Sequence, residues 1–300
     1  MERAPDVISS AGAGRALGLL SRASNEARSF VAGQPRSVVI LVGVAMVALV
    51  AVNAVGLAQT LLWLIRHHGS GGDWQNLAGL PVADPYAIAG FRWSPPAAWI
   101  WAMTVVPLGL PAWQALHLVA LVLLRDWRVI ILALLSWAFW QDLANGNLLT
   151  FVLVSAWWAL KGSTVGAVAF LALCVLVPRP LMLPVMGWLL VREPRVRPWF
   201  VLLVLSVIIP SLAAGQMGDW VGRLIATGQN ELSSIWNIGP SKLIGAFWIP
   251  IGLSLAAAFA WKGWLGIASV VISPYLFPYY LLMGLLDLPR VLAGRAPAAR

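Results

Sequence analysis

A few polar side chains stand apart in a very apolar chain, and their types suggest one kind of chemistry. Asp73 lies in HHGSGGDWQNLAGLPVADPYAIAGFRWSPP (residues 67–96), the only long polar interval in the first half of the chain. The same interval holds Asp84, Tyr86, Arg92 and Trp93, and later short polar stretches hold Gln141, Asp142, Asn145, Asn147 and Arg179. A carboxylate can take the proton of an incoming hydroxyl, an arginine can hold a phosphate, and amides can bond sugar hydroxyls. Together they suit base-assisted transfer to a hydroxyl, with a carboxylate of these polar stretches taking the proton. Plainer roles exist for the same residues. Gly72-Asp73-Trp74 also reads as a helix N-cap, and Asp84 before Pro85 as the start of a turn. Trp74, Trp93 and Trp236 can stack on a sugar face or anchor the chain at a membrane interface.

Other chemistries lack their residues. No His/Glu/Asp spacing forms a zinc helix, no glycine-rich loop follows a strand, and no GxSxG is present. His67 and His68 stand beside Trp63 and Arg66, which suits an interfacial role better than a metal site. Cys174 is the single cysteine, so no internal disulfide or cysteine-built metal site is available. No metal and no cofactor is expected.

The elements that must position these residues are membrane helices. Of 300 residues, 60% are hydrophobic and 10% charged, against roughly 25% charged in a soluble domain. The run over residues 37–65 exceeds the ~20 residues that a crossing needs. Apolar stretches recur to residue 288 without the alternation of a β-barrel. The fold class is therefore all-α and polytopic, a bundle of about 8–10 transmembrane helices. Residues 1–37 read as a basic cytoplasmic tail, either an amphipathic helix on headgroups or disordered, and not as a cleaved signal. Residues 38–288 form the membrane domain, and 289–300 a second cytoplasmic tail.

Threading outward from a cytoplasmic N-terminus leaves residues 66–96 as a first outer loop and 215–242 as a second. Fifteen of the basic residues then fall inside; Arg66, Arg92, Arg179, Arg223 and Lys242 fall outside. The inner side carries the whole +9 charge, as the positive-inside bias requires. A bend is expected at Pro107 and Pro111. Several segments are too short for a ~30 Å hydrocarbon core, and their turns at 141–147, 178–180 and 273–274 all fall on the outer side. That geometry predicts a cavity sunk into the outer face.

The series of motifs resembles a known family. Asp73, then DPY (84–86), then FRWSPPAAWIWAMTVVPLGLP is similar to the first outer loop and second span of polyprenol-phosphate-mannose-dependent glycosyltransferases, family 87 of the GT-C superfamily. NGNLLTFVLVSAWWAL (145–160), LVPRPLMLPV (176–185) and SPYLFPYYLL (273–282) fit in order. Gln75 and Asn76 stand where the family has a Tyr, and Val177 where a Lys is common. The resemblance implies an inverting hexosyl or pentosyl transfer from a polyprenyl-phosphate sugar to a glycolipid or polysaccharide hydroxyl, on the outer face of the cell membrane. Asp73 would be the base, Arg179 would face the lipid phosphate, and Asn145 and Asn147 would line the sugar or carrier site. Its partners would be the lipid-linked donor, the acceptor and membrane lipids, not nucleic acid. Broken helices also mark transporter sites, and a non-catalytic membrane scaffold is a third reading.

Overall fold

The structure is a computed structural model, and it describes residues 35–67, 74, 78–81, 83–87, 93–233 and 237–293. Asp73 and Arg92, with His68 and Trp236, lie outside the described residues. Among those described, all regular structure is helical. Two compact units divide after Val55.

The first unit contributes most of α1 (Arg36–Arg66), whose large apolar side chains up to Val55 are mostly exposed. This is what lipid-facing surface looks like when water is the only neighbour. Among the described residues, four helices are long and apolar enough to cross a membrane: α1, α2 (Pro95–Val122), α8 (Pro194–Ala213) and α10 (Ser241–Trp261). A fifth crossing results if α3 (Trp127–Leu134) and α4 (Trp137–Asn145) count as one span bent by 72°. The helices α5 (Leu149–Leu160), α6 (Thr164–Leu176) and α7 (Leu183–Arg192) are apolar but short. Long apolar helices of this kind give the chain the character of a membrane-embedded protein.

Helix boundaries follow local chemistry. Ser94 caps α2 by accepting from the Ala97 N–H, and Pro95 fills its first turn. A π-helical turn over Trp101–Val105 and, farther on between Pro107 and Pro111, a break at Gly109 (φ 75°, ψ 158°) interrupt α2. The bend expected at the prolines thus centres on the glycine between them, the residue that tolerates this backbone. Ser136 caps α4 through the Phe139 N–H, and this cap marks the bend after α3. The apolar run before the turn expected at 141–147 is therefore two helices, and Gln141, Asp142 and Asn145 are helical rather than in that turn. Likewise, α9 (Met217–Ser233) occupies most of the interval read as the second outer loop.

Contacts join several of the turns to one another. Arg125 lies over Trp158 at 5.6 Å, joining two turns assigned to the inner side, and Lys161 covers Trp157 at 4.4 Å within one of them. A side chain at Gly263 would come 3.1 Å from Arg290, joining two more. At turns assigned to the outer side, Asn237 Oδ1 accepts from the Gly239 and Leu276 N–H groups at 2.8 and 2.9 Å. The core between them is a cluster led by Phe139, Leu153, Phe170, Leu171 and Tyr280, all fully buried.

Candidate functional site

The turn between α4 and α5 gathers the buried side chains of His117, Asp142, Asn147, Thr150 and Arg179. Gly146 takes the left-handed conformation (φ 68°) that ends α4, and the Asn147 N–H bonds back to Asp142 O at 3.0 Å. The carbonyls left over at this helix end are met by α2. Trp113 Nε1 donates to Gly146 O at 3.0 Å, Gln114 Nε2 to Leu143 O at 3.3 Å, and His117 Nε2 reaches Asn147 O at 2.8 Å. The other ring nitrogen of His117 faces Trp113 O at 2.9 Å. Asp142 Oδ2 lies 3.8 Å from Nε2, so the ring sits between the Trp113 carbonyl and the polar groups of the turn.

Asp142 is fully buried and serves α5. Its carboxylate accepts from Leu149 N at 3.1 Å, Thr150 N at 2.8 Å and Thr150 Oγ1 at 2.6 Å. These N–H groups have no partner within their own helix. The residue expected in a solvated outer stretch is instead a buried helix cap, because tertiary packing closes over a segment whose composition alone looks wet.

Asn147 connects this turn to Arg179. Arg179 is 6% exposed, and its Nη2 donates to Asn147 Oδ1 at 2.9 Å. Tyr279 and Tyr280 flank the guanidinium at 5.9 and 5.8 Å. Residues from three separate short segments therefore meet, and two of them, Asn147 and Arg179, are ones the sequence singles out. Gln141 is turned elsewhere: its Oε1 accepts from Thr60 Oγ1 at 3.0 Å and Trp137 Nε1 at 3.3 Å, tying α4 to α1. Asn145 is half-buried at the end of α4.

The first loop packs onto this region through aromatic rings. Trp74, the residue after Asp73, is 6% exposed and sits so close to the turn that a Cβ at Gly146 would lie 3.0 Å from its own Cβ. The rings of Trp74, Trp93 and Trp113 each pack on Trp101 at centroid spacings of 5.4, 5.0 and 5.2 Å, and Phe151 stacks on Trp113 at 4.8 Å. Trp74 and Trp93 were candidates for stacking on a sugar. Both are buried here, packed on other indoles. The Ser94 N–H bonds Leu176 O at 2.9 Å, which holds the loop's end beside the segment leading to Arg179.

Asp84 and Tyr86 lie farther along the loop, against α9. Asp84 opens the expected turn, its carbonyl accepting from the Ala87 N–H at 3.2 Å. Tyr86 donates to Trp93 O at 2.9 Å, while Arg223 of α9 donates to Tyr86 O at 2.6 Å and Gln216 to Ala83 O at 2.7 Å. Burial, and after it the charge of Asp219, hold the Tyr86 phenol well above its usual range, so it remains a donor. Sequence reasoning missed His117, Thr150, Asn237 and Arg223. For His117 a signal existed: Trp113, Gln114 and His117 share one helix face at i, i+1 and i+4.

Among the described residues, no group of three or more His, Cys, Asp or Glu side chains is placed to hold a metal ion. His67 stacks on Trp63 at 5.0 Å, as an interfacial residue would. No protein family, curated protein or solved structure matches the chain.

Proposed function

We propose that this chain is an integral-membrane glycosyltransferase of GT-C type. It would move a sugar from a polyprenyl-phosphate carrier to a glycolipid or polysaccharide hydroxyl on the extracytoplasmic face. The observation that carries the reading is the buried Arg179–Asn147 pair at the turn beneath Trp74. A guanidinium in a low-dielectric setting, already oriented by an amide and two tyrosines, suits the phosphate of a lipid carrier. Asp73, next to Trp74 in the chain, is the assigned base. With the donor phosphate held, it would accept the acceptor's hydroxyl proton as the oxygen attacks the anomeric carbon and the carrier phosphate departs. Asn147, and Asn145 beside it, would hold sugar hydroxyls. The charge bias supports an outer location for these residues and inner termini.

A second reading, a non-catalytic scaffold or transporter, draws on the dense indole packing under the first loop and on the structural duties of Gln141 and Asp142. Binding separates them. The purified protein in nanodiscs is titrated with polyprenyl phosphate, and Arg179→Gln is compared with Arg179→Lys. The transferase reading expects saturable binding that weakens at least tenfold in the Gln variant and less in the Lys variant. Equal affinity in wild type and Gln variant would refute the role given to Arg179.

A further inference from the structure

A groove runs between the first loop and α9, with a volume of about 570 Å³. Its loop wall holds Asp84 and Tyr86, and its α9 wall holds Gly218, Asp219, Gly222 and Arg223. The spacing of Gly218 and Gly222, four apart, puts both on one helix face. Nothing lies within 4 Å of where a Cβ would stand at either, so the floor is smooth and open. Neither the Asp84 nor the Asp219 carboxylate has a hydrogen bond or ion pair among the described residues. Arg223 gives one N–H to Tyr86 O, and five are available to a guanidinium. Close by, Gln216 bonds Ala83 O through its amide nitrogen, while its Oε1 is buried with no partner among the described residues.

From this arrangement we infer that the groove binds a neutral glycoside of one or two sugar units, as the acceptor. The inference rests on the transferase reading for the word acceptor only. Two open carboxylates accept from adjacent hydroxyls, the arginine donates to ring or hydroxyl oxygens, and the glycine floor admits the flat face of a pyranose. The same carboxylates repel an anionic phosphate, so the donor's phosphate goes to Arg179 and the two substrates are separated by charge. A pocket of this size falls within the ~300–1,000 Å³ usual for small-ligand sites. On the outward side of α9, Val221 and Ile225 are 41% and 71% exposed. Apolar residues there suit the headgroup boundary of a bilayer, where a lipid-linked sugar would present its head.

The test uses the full chain in nanodiscs without any donor. Methyl α-mannoside and a mannose disaccharide are titrated in solution, and a neutral glycosyl diacylglycerol is titrated in the disc lipid. The two arms distinguish a free saccharide from a lipid headgroup. Gly222→Leu fills the floor without loading the helix, and Asp219→Asn removes one charge without changing shape. Saturable glycoside binding that drops at least tenfold in Gly222→Leu, with polyprenyl-phosphate binding unchanged, is the expected result. Absent glycoside binding, or binding equal in wild type and both variants, would overturn the assignment. So would calcium uptake by wild type that excludes the glycosides, which would make the carboxylates a cation site. Because no donor is present, glycoside binding can succeed while transfer fails, so the two readings fall separately.

Discussion

Removing the Asp142 carboxylate should destabilise the bundle more than any other single truncation of a polar side chain at this turn. The side chain is fully buried and takes three hydrogen bonds, two of them from backbone N–H groups at the start of α5. In Asp142→Ala both N–H groups lose their acceptor in a site closed to water, at about 1–3 kcal/mol each. The hydroxyl of Thr150 loses its acceptor as well. A total of about 4 kcal/mol corresponds to a fall in melting temperature of roughly 8–16 °C for a chain of this size. Asp142→Asn keeps one acceptor oxygen and should lose about half as much. Cys174, the only cysteine, is buried in α6 and reports unfolding directly. A thiol-reactive dye whose fluorescence rises on labelling gives the melting curve in detergent without any added probe site. If Asp142→Ala melts within ~2 °C of the wild type, the buried cap is not formed, and the geometry assigned to this turn is wrong.

Two further outcomes follow from close contacts and from burial. A Cβ at position 56 would fall within the Trp137 indole, so Gly56→Ala should displace that ring and cost about 1–3 kcal/mol by overpacking, seen in the same dye assay. Tyr86→Phe deletes the bond to Trp93 O and should cost about 0.5–1.5 kcal/mol. Burial holds the Tyr86 hydroxyl above the ~10 of a free phenol. Its contribution is therefore complete below about pH 10 and fades as pH rises beyond it. Across pH 9–11 the wild type should lose more stability than Tyr86→Phe; parallel curves would contradict this.

The membrane character and many turn positions are legible in the sequence because they depend on composition and on residues with fixed local meaning. Apolar runs mark the crossing helices, Asp84-Pro85 marks its turn, and the prolines of α2 bracket the break at Gly109. The meeting of Asn147 with Arg179 follows from placing short segments' turns on one side. What the sequence hides is tertiary. QDLANGN looks solvated because it is polar, yet Asp142 is used up in capping α5. The bend between α3 and α4 carries no proline or glycine, only the Ser136 cap. For α9, Gly218, Gly222 and Gly228 lower helix propensity, so a loop is the natural expectation; its helix is braced by Trp220 and by the bonds from Gln216 and Arg223 to the first loop. The tryptophans read as surface anchors because their number suggests an interface, whereas Trp101 and Trp113 draw Trp74 and Trp93 inward.

The central claim concerns the carboxylate of Asp73, and transfer itself tests it most directly. Membranes from cells making the wild type or Asp73→Asn are given polyprenyl phosphate bearing radiolabelled mannose, and label is counted in the glycolipid and polysaccharide fractions. Loss of a general base costs about 10²–10⁴-fold. A fall of at least a hundredfold in Asp73→Asn, at equal protein level and equal melting temperature, is the result expected of a transferase. Undiminished labelling by that variant, or no labelling above membranes lacking the protein, would contradict it.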